Sequence, residues 1–237
     1  MARLAFTTLY SLVIGLLPHF LLINQRHITS RYFYIHGIGS LLLLVPAIAL
    51  FPRHAKTVAL FSLFSIIAHL ICAKKETLSR VLMALAFFIG LFVFEFPIEW
   101  VLLCAQASLM LGTSLGAMCV GHWYLNQPKL NISEFRKQVM LLICILIARD
   151  LFATYFISQS ISYHGMNWLL ESTPGLFLLM RATWGLIAPT VLSYFVWQTV
   201  KISSTQSATG LLYVNLVMVL IGEIMSLYLF QFHGVLS

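Results

Sequence analysis

Residues 208–232 read ATGLLYVNLVMVLIGEIMSLYLFQF, with Glu223 as the one charged side chain. As an α-helix this run rises about 37 Å at about 1.5 Å per residue. That is enough to cross a bilayer hydrocarbon core of about 30 Å. In lipid no water is present to satisfy backbone N–H and C=O groups, so such a run must close its hydrogen bonds within itself, as a helix does. The same pattern recurs back along the chain. Seven further apolar stretches span 4–23, 34–51, 57–73, 78–94, 100–124, 135–157 and 174–200. The sequence therefore predicts an all-α, polytopic membrane protein forming one integral membrane domain of about eight transmembrane helices.

Composition points the same way. Of 237 residues, 60% are hydrophobic and 9% charged, against about 25% charged in an ordinary soluble domain. There is too little polar surface to face water on all sides, so the lipid bilayer is an expected partner. No segment between the spans exceeds about 20 residues, which leaves no room for a soluble head. The net charge of +7 lies in short clusters between apolar runs, and this argues against nucleic acid as a partner. Cys72, Cys104, Cys119 and Cys144 sit inside apolar runs without a CxxC pair, so neither a disulfide framework nor a metal site is expected. Nothing resembles a P-loop, a GxSxG elbow or an HExxH zinc motif, and no catalytic residue is assigned. The run at 4–23 continues too far for a signal peptide and lacks a small-residue cleavage pattern, so it reads as a retained span.

Orientation follows from the basic residues between the spans. Arg26, Arg31, Lys74, Lys75, Arg80, Lys129, Arg136, Lys137 and Lys201 fall on one side, against Arg3, Arg53 and Lys56 on the other. The richer side is expected to be cytoplasmic, as in a bacterial-type inner membrane. An even number of spans then puts both termini outside. Gly112 and Gly116, extended back by Ser108, form a small-residue stripe suited to close helix packing. Ser62, Ser65, His69 and Cys72 mark a polar stripe on the third span. Trp100, Trp123, Tyr124 and Trp168 read as interfacial anchors.

Ionisable groups inside spans are costly in lipid and carry the strongest functional signal. Arg149, Asp150, Arg181 and Glu223 occupy spans six, seven and eight, at depths of about 10–14 Å from the outer ends. Two cations and two carboxylates at one level make either a structural ion-pair network or a pocket for a polar headgroup or protons. Arg149 and Asp150 are neighbours pointing about 100° apart, so they cannot both face one partner. Arg181 is expected to pair with Glu223, with Asp150 reached by either arginine. Pro189, which follows Arg181 at helical spacing, must free a backbone carbonyl that neighbours have to satisfy. A second set, His19, His36, His69 and His122, lies about 6–8 Å inside the cytoplasmic ends of its helices. These imidazoles suit an interfacial role, a haem or a proton relay, and His69 also a quinone hydrogen bond.

The residues Thr209-Gly210-Leu211-Leu212-Tyr213, Ile221-Gly222-Glu223 and Tyr228-Leu229-Phe230 resemble the final helix of the membrane-anchor subunits of DMSO reductase and polysulfide reductase complexes. The resemblance implies a lean eight-helix-class subunit that binds a quinone and passes its electrons to a partner iron–sulfur subunit. The expected function is then a non-catalytic membrane subunit of an electron-transfer complex. A small-solute or proton transporter and a haem-binding membrane protein or assembly factor are the alternatives. The asymmetry between a first half uncharged inside its spans and a second half holding every deep charge speaks against the inverted repeats common in transporters. The loop charges make one direct prediction. A C-terminal alkaline phosphatase fusion should be active and a C-terminal green fluorescent protein fusion dark, and the reverse pattern would rule out an even span count with both termini outside.

Overall fold

In a computed structural model the protein is all-helical, with no strand among its described residues, which are 2–23, 28, 30–49, 60, 63, 66–67, 76–91, 98–127 and 131–236. The helices are α1 (Ala2–Leu22), α2 (Ser30–Ala49), α3 (Glu76–Leu91), α4 (Ile98–Asn126), α5 (Ser133–His164), the short α6 (Trp168–Glu171), α7 (Thr173–Lys201) and α8 (Thr205–His233). Four of these, α4, α5, α7 and α8, are both long and apolar enough to cross a membrane. The multi-pass helical class therefore holds, but eight crossings are not supported among the described residues. Among the described residues the other apolar helical stretches are shorter, Arg31–Val45 and Arg80–Leu91. Most of the span expected at 57–73, including the stripe of Ser62, Ser65, His69 and Cys72, lies outside the described residues.

The chain forms two compact units, one of Met1–Gly116 with Asn126–Glu134 and one of Ala117–Leu125 with Phe135–Ser237. In the first, α1 buries Tyr10, Val13, Ile14 and Leu17, which the helical period puts on one face. Tyr10 donates its hydroxyl to the carbonyl of Gly90 on α3 at 3.1 Å. The Ser108/Gly112/Gly116 stripe of α4 receives α1. A Cβ on Gly112 would overlap the backbone of Gly15, one on Gly15 would overlap the carbonyl of Ser108, and one on Gly116 would strike the His19 ring. Backbone-to-backbone contact of this kind needs glycine on both sides. Trp100 and Tyr124, expected as lipid anchors, are instead buried. Trp100 lies 5.8 Å beneath the Arg3 guanidinium, and in the second unit Tyr124 stacks on Phe135 with centroids 5.6 Å apart.

In the second unit α7 starts sharply. Ser172 Oγ accepts from Gly175 N at 3.0 Å, with Pro174 in the first turn, where its missing N–H costs nothing. Within α7 the residues Arg181–Ile187 form a π-helical segment. Large apolar side chains such as Met140, Ile147, Leu151, Val191 and Phe195 point outward, a surface suited to lipid rather than water. The tight crossing in the first unit is testable. Gly112→Leu should lower stability in detergent by about 1–3 kcal/mol through overpacking, while Gly39→Leu, which faces open space, should not. Equal melting temperatures for the two variants would place Gly112 away from the α1 contact.

Candidate functional site: a buried arginine–carboxylate cluster

All four charges predicted at one depth meet in the second unit, and the backbone of α7 explains why. Pro189 has no N–H, so it cannot donate to the carbonyl of Gly185 four residues earlier. The π-helical segment ends alongside, with Ala188 N bonded to the Thr183 carbonyl five residues back. An unsatisfied carbonyl in a membrane interior is expensive. Arg149 Nη2 on α5 supplies the missing donor, at 2.6 Å from Gly185 O. The carbonyl of Pro189 itself accepts from Asn215 Nδ2 on α8 at 2.9 Å.

A buried guanidinium needs counter-charge. Arg149 Nη1 donates to Glu223 Oε1 at 3.1 Å. The same oxygen accepts from Arg181 Nη2 at 3.4 Å. The side chains of Arg181 and Glu223 are fully buried and that of Arg149 is 1% exposed. Arg149 also turns back onto its chain neighbour, with Nε and Nη2 donating to Asp150 Oδ1 at 3.2 and 2.9 Å. Of the two arginines expected within reach of Asp150 it is Arg149 that bonds it, and Glu223, expected to pair with Arg181, is shared by both. The Cβ atoms of Arg149 and Asp150 diverge, but the guanidinium stands far enough out to bend across. Asp150 Oδ2 accepts from Thr190 Oγ1 at 2.5 Å.

Two glycines make room for this cluster. A Cβ on Gly185 would stand 2.7 Å from Gly222 Cα and 2.9 Å from Arg181 Nη1, and one on Gly222 would meet the same guanidinium at 2.8 Å. The α7–α8 crossing is thus close enough to hold Arg181 in a slot between the two helices. Polar capacity is left over in that slot. Arg181 Nε and Nη1, Glu223 Oε2 and Asn215 Oδ1 are buried and have no hydrogen-bond partner among the described residues. The formal charges cancel, two against two, while free donors and a free carboxylate oxygen lie side by side.

Asp150 is the member that reaches outward, with its side chain 22% exposed. It borders a cleft of about 390 Å³ between α5 and α7, whose other lining residues include Thr154, Ile157, Ile187, Thr190 and Val191. The volume falls in the range of small-molecule sites, and the lining is apolar with a few polar groups, as such sites usually are.

The predicted histidines do not join this cluster. In the first unit His19 Nε2 lies 3.2 Å from the Tyr32 hydroxyl, and His36 Nδ1 lies 2.8 Å from the Tyr32 carbonyl, one turn back on its own helix. The rings of Tyr32 and His36 lie with centroids 4.1 Å apart, tilted by 36°. His122 belongs to the second unit, where its Nδ1 lies 3.3 Å from the Tyr213 hydroxyl. His69 lies outside the described residues. Each placed imidazole is therefore engaged by protein. Among the described residues no three His, Cys, Asp or Glu side chains converge as a metal site would need. Thr190 was not legible as a site residue, because a single threonine in an apolar run ordinarily bonds its own helix.

No family model, curated protein or solved structure matches this chain. The cluster itself supports a sharp test. Arg149→Met should cost about 3–5 kcal/mol, as expected for breaking a buried ion pair. In a Pro189→Ala background, where an amide can again serve the Gly185 carbonyl, the loss from Arg149→Met should shrink measurably. Unfolding in detergent of the two single variants and the double variant reads the coupling, and strictly additive losses would sever Arg149 from the carbonyl that Pro189 exposes.

Proposed function

We propose that the chain is an integral membrane subunit of an electron-transfer complex and that its α5–α7–α8 cluster binds a quinone headgroup. The observation that carries this reading is the layout of the cluster. A carboxylate at the edge of an apolar, membrane-facing cleft is backed by two arginines and a second carboxylate, with donors and an acceptor left unused. A quinol is apolar enough to approach from the bilayer, but oxidising it releases two protons along with two electrons. Asp150, in the cleft, is placed to take a proton from a hydroxyl of the headgroup. Thr190 and Arg149 hold the carboxylate in position. Glu223, joined to Asp150 through Arg149, offers the second proton acceptor. The electrons leave for a redox centre of a partner subunit, an iron–sulfur centre in the complexes that the last helix resembles.

The full topology belongs to the same proposal. The four long helices, together with α1, α2, α3 and the stretch at 57–73, make eight crossings with both termini on the non-cytoplasmic face of a bacterial-type inner membrane. A compact subunit of this kind acts through the other subunits it anchors.

The test is isolation of the tagged chain from its native membranes in mild detergent. Extractable quinone and an iron–sulfur polypeptide should accompany the wild type. Asp150→Asn should keep the partner and bind quinone roughly tenfold more weakly, the effect of losing one charge-assisted hydrogen bond. A chain that carries neither quinone nor partner, yet moves protons or solute in liposomes, would replace this reading with a transporter.

A further inference from the structure

The start of α5 and the end of α7 meet at a pair of cations. Arg136 donates from Nη2 to the carbonyl of Lys201, the last residue of α7, at 3.2 Å. That carbonyl is one of the four that a helix leaves unserved at its C-terminus. Lys201 Nζ in turn lies 5.5 Å from the Trp197 ring. Both cations are exposed, and both of these partners are neutral, a backbone oxygen and an indole. Neither cation pairs with a carboxylate among the described residues. The stretches 135–148 and 188–208 contain no Asp or Glu at all. Glu134, two positions before Arg136, is buried, and two helical steps of about 100° turn it to the other side of α5.

Below this pair lies an apolar groove of about 410 Å³ between α5 and α7, with Met140, Ile143, Ile147, Tyr194 and Trp197 in its lining. Helical spacing ties the groove to the cations. On α5 the residues 136, 140, 143 and 147 recur every three or four positions, and on α7 the residues 190, 194, 197 and 201 do the same. Each cation therefore heads the stripe that makes one wall. From Met140 to Ile147 the helix rises about 10 Å, within the half of a hydrocarbon core of about 30 Å that one lipid leaflet fills. Trp197 beside Lys201 is the composition of a membrane–water interface. No charged residue lines the groove itself. Its Ser193 hydroxyl donates to the Thr190 carbonyl at 2.8 Å, and the Thr190 hydroxyl to Asp150, so the walls call for hydrocarbon.

We propose that Arg136 and Lys201 bind the phosphate of an anionic phospholipid, one acyl chain of which lies in the groove between α5 and α7. Charge complementarity names the occupant. Two cations without a carboxylate partner call for an anion, and the apolar walls directly below them call for a chain attached to it. Free phosphate supplies only the first. A zwitterionic lipid supplies the second but brings its own ammonium against the two cations. Basic pockets between transmembrane helices are sites of this kind for acidic headgroups. Along α5 the cations stand about 20 Å from the Asp150 cluster, so this lipid site is separate from it and does not depend on the quinone reading. A lipid held in this way ties the ends of α5 and α7 together across the groove.

The experiment titrates the purified, delipidated full chain in an uncharged detergent with dioleoyl phosphatidylglycerol, dioleoyl phosphatidylcholine or glycerol phosphate, and reads bound ligand by native mass spectrometry. Five proteins are used: wild type, Arg136→Gln, Lys201→Gln, Ile143→Trp, which fills the groove, and Arg31→Gln, which removes an exposed cation from α2. Lys201→Gln leaves the carbonyl that Arg136 holds in place, so it tests the charge without breaking that bond. Wild type should bind phosphatidylglycerol at least tenfold more tightly than phosphatidylcholine. Arg136→Gln and Lys201→Gln should each weaken phosphatidylglycerol about fivefold, as expected for one basic residue at an anionic lipid surface, and Arg31→Gln less than twofold. Ile143→Trp should weaken both lipids, and glycerol phosphate should not displace phosphatidylglycerol. Equal binding of the two lipids to wild type, or the same loss in Lys201→Gln as in Arg31→Gln, would overturn the headgroup site. Displacement by glycerol phosphate, or wild-type lipid binding by Ile143→Trp, would overturn the acyl-chain groove.

Discussion

The second unit is organised around one unmet backbone carbonyl. Pro189 removes the amide that would serve Gly185, in a helix whose surroundings contain no water to make good the loss. Arg149 fills the gap, and everything else in the cluster follows from having brought a guanidinium to that depth. It needs an anion, which Glu223 provides from α8. Glu223 in turn lies against a second cation, Arg181, on the very helix that Pro189 interrupts. Arg181 fits only because Gly185 and Gly222 leave a slot without Cβ atoms. Removing any member exposes the others to a low-dielectric interior, so the network is cooperative in its nature.

Both units reach close helix packing through glycine but put it to different ends. Gly15 and Gly112 bring α1 and α4 together with neutral surroundings, and the first unit shows hydroxyl-to-carbonyl bonds such as Ser108 to Cys104 and Thr8 to Leu4. The contact there is a packing solution. Gly185 and Gly222 instead make space for charge. An ion-pair network placed only to hold helices would be expected to close on itself. This one leaves Arg181 Nε and Nη1 and Glu223 Oε2 without a hydrogen-bond partner among the described residues and extends through Asp150 to a cleft between α5 and α7.

Much of the site was legible from residue type and depth. Arginine and carboxylate in apolar runs stand out because their burial is costly, and helical rise alone put Arg149, Asp150, Arg181 and Glu223 on one level. Which arginine reaches Asp150 was not legible. Helical geometry fixes the direction of a Cβ but not where a guanidinium swings, and it is Arg149 that bonds Asp150 while sharing Glu223 with Arg181. Thr190 carried no signal, because its partner Asp150 is distant in sequence. Trp100 and Tyr124 were misread as interfacial anchors for a similar reason. An aromatic near a span end suits either lipid or protein, and only the neighbours Arg3 and Phe135 decide.

By itself the sequence determined that this chain is helical and lives in a membrane, because the apolar runs are long enough that backbone hydrogen bonding in lipid leaves no alternative. It also determined that the deep charges lie in the second half and that Pro189 must expose a carbonyl. Tertiary structure alone decided which donor meets that carbonyl, which carboxylate is buried and which faces the cleft, and where the histidines turn. These are matters of helix rotation and side-chain reach. Rotation depends on how small residues on one helix fit those on another. No periodicity within a single run encodes that fit.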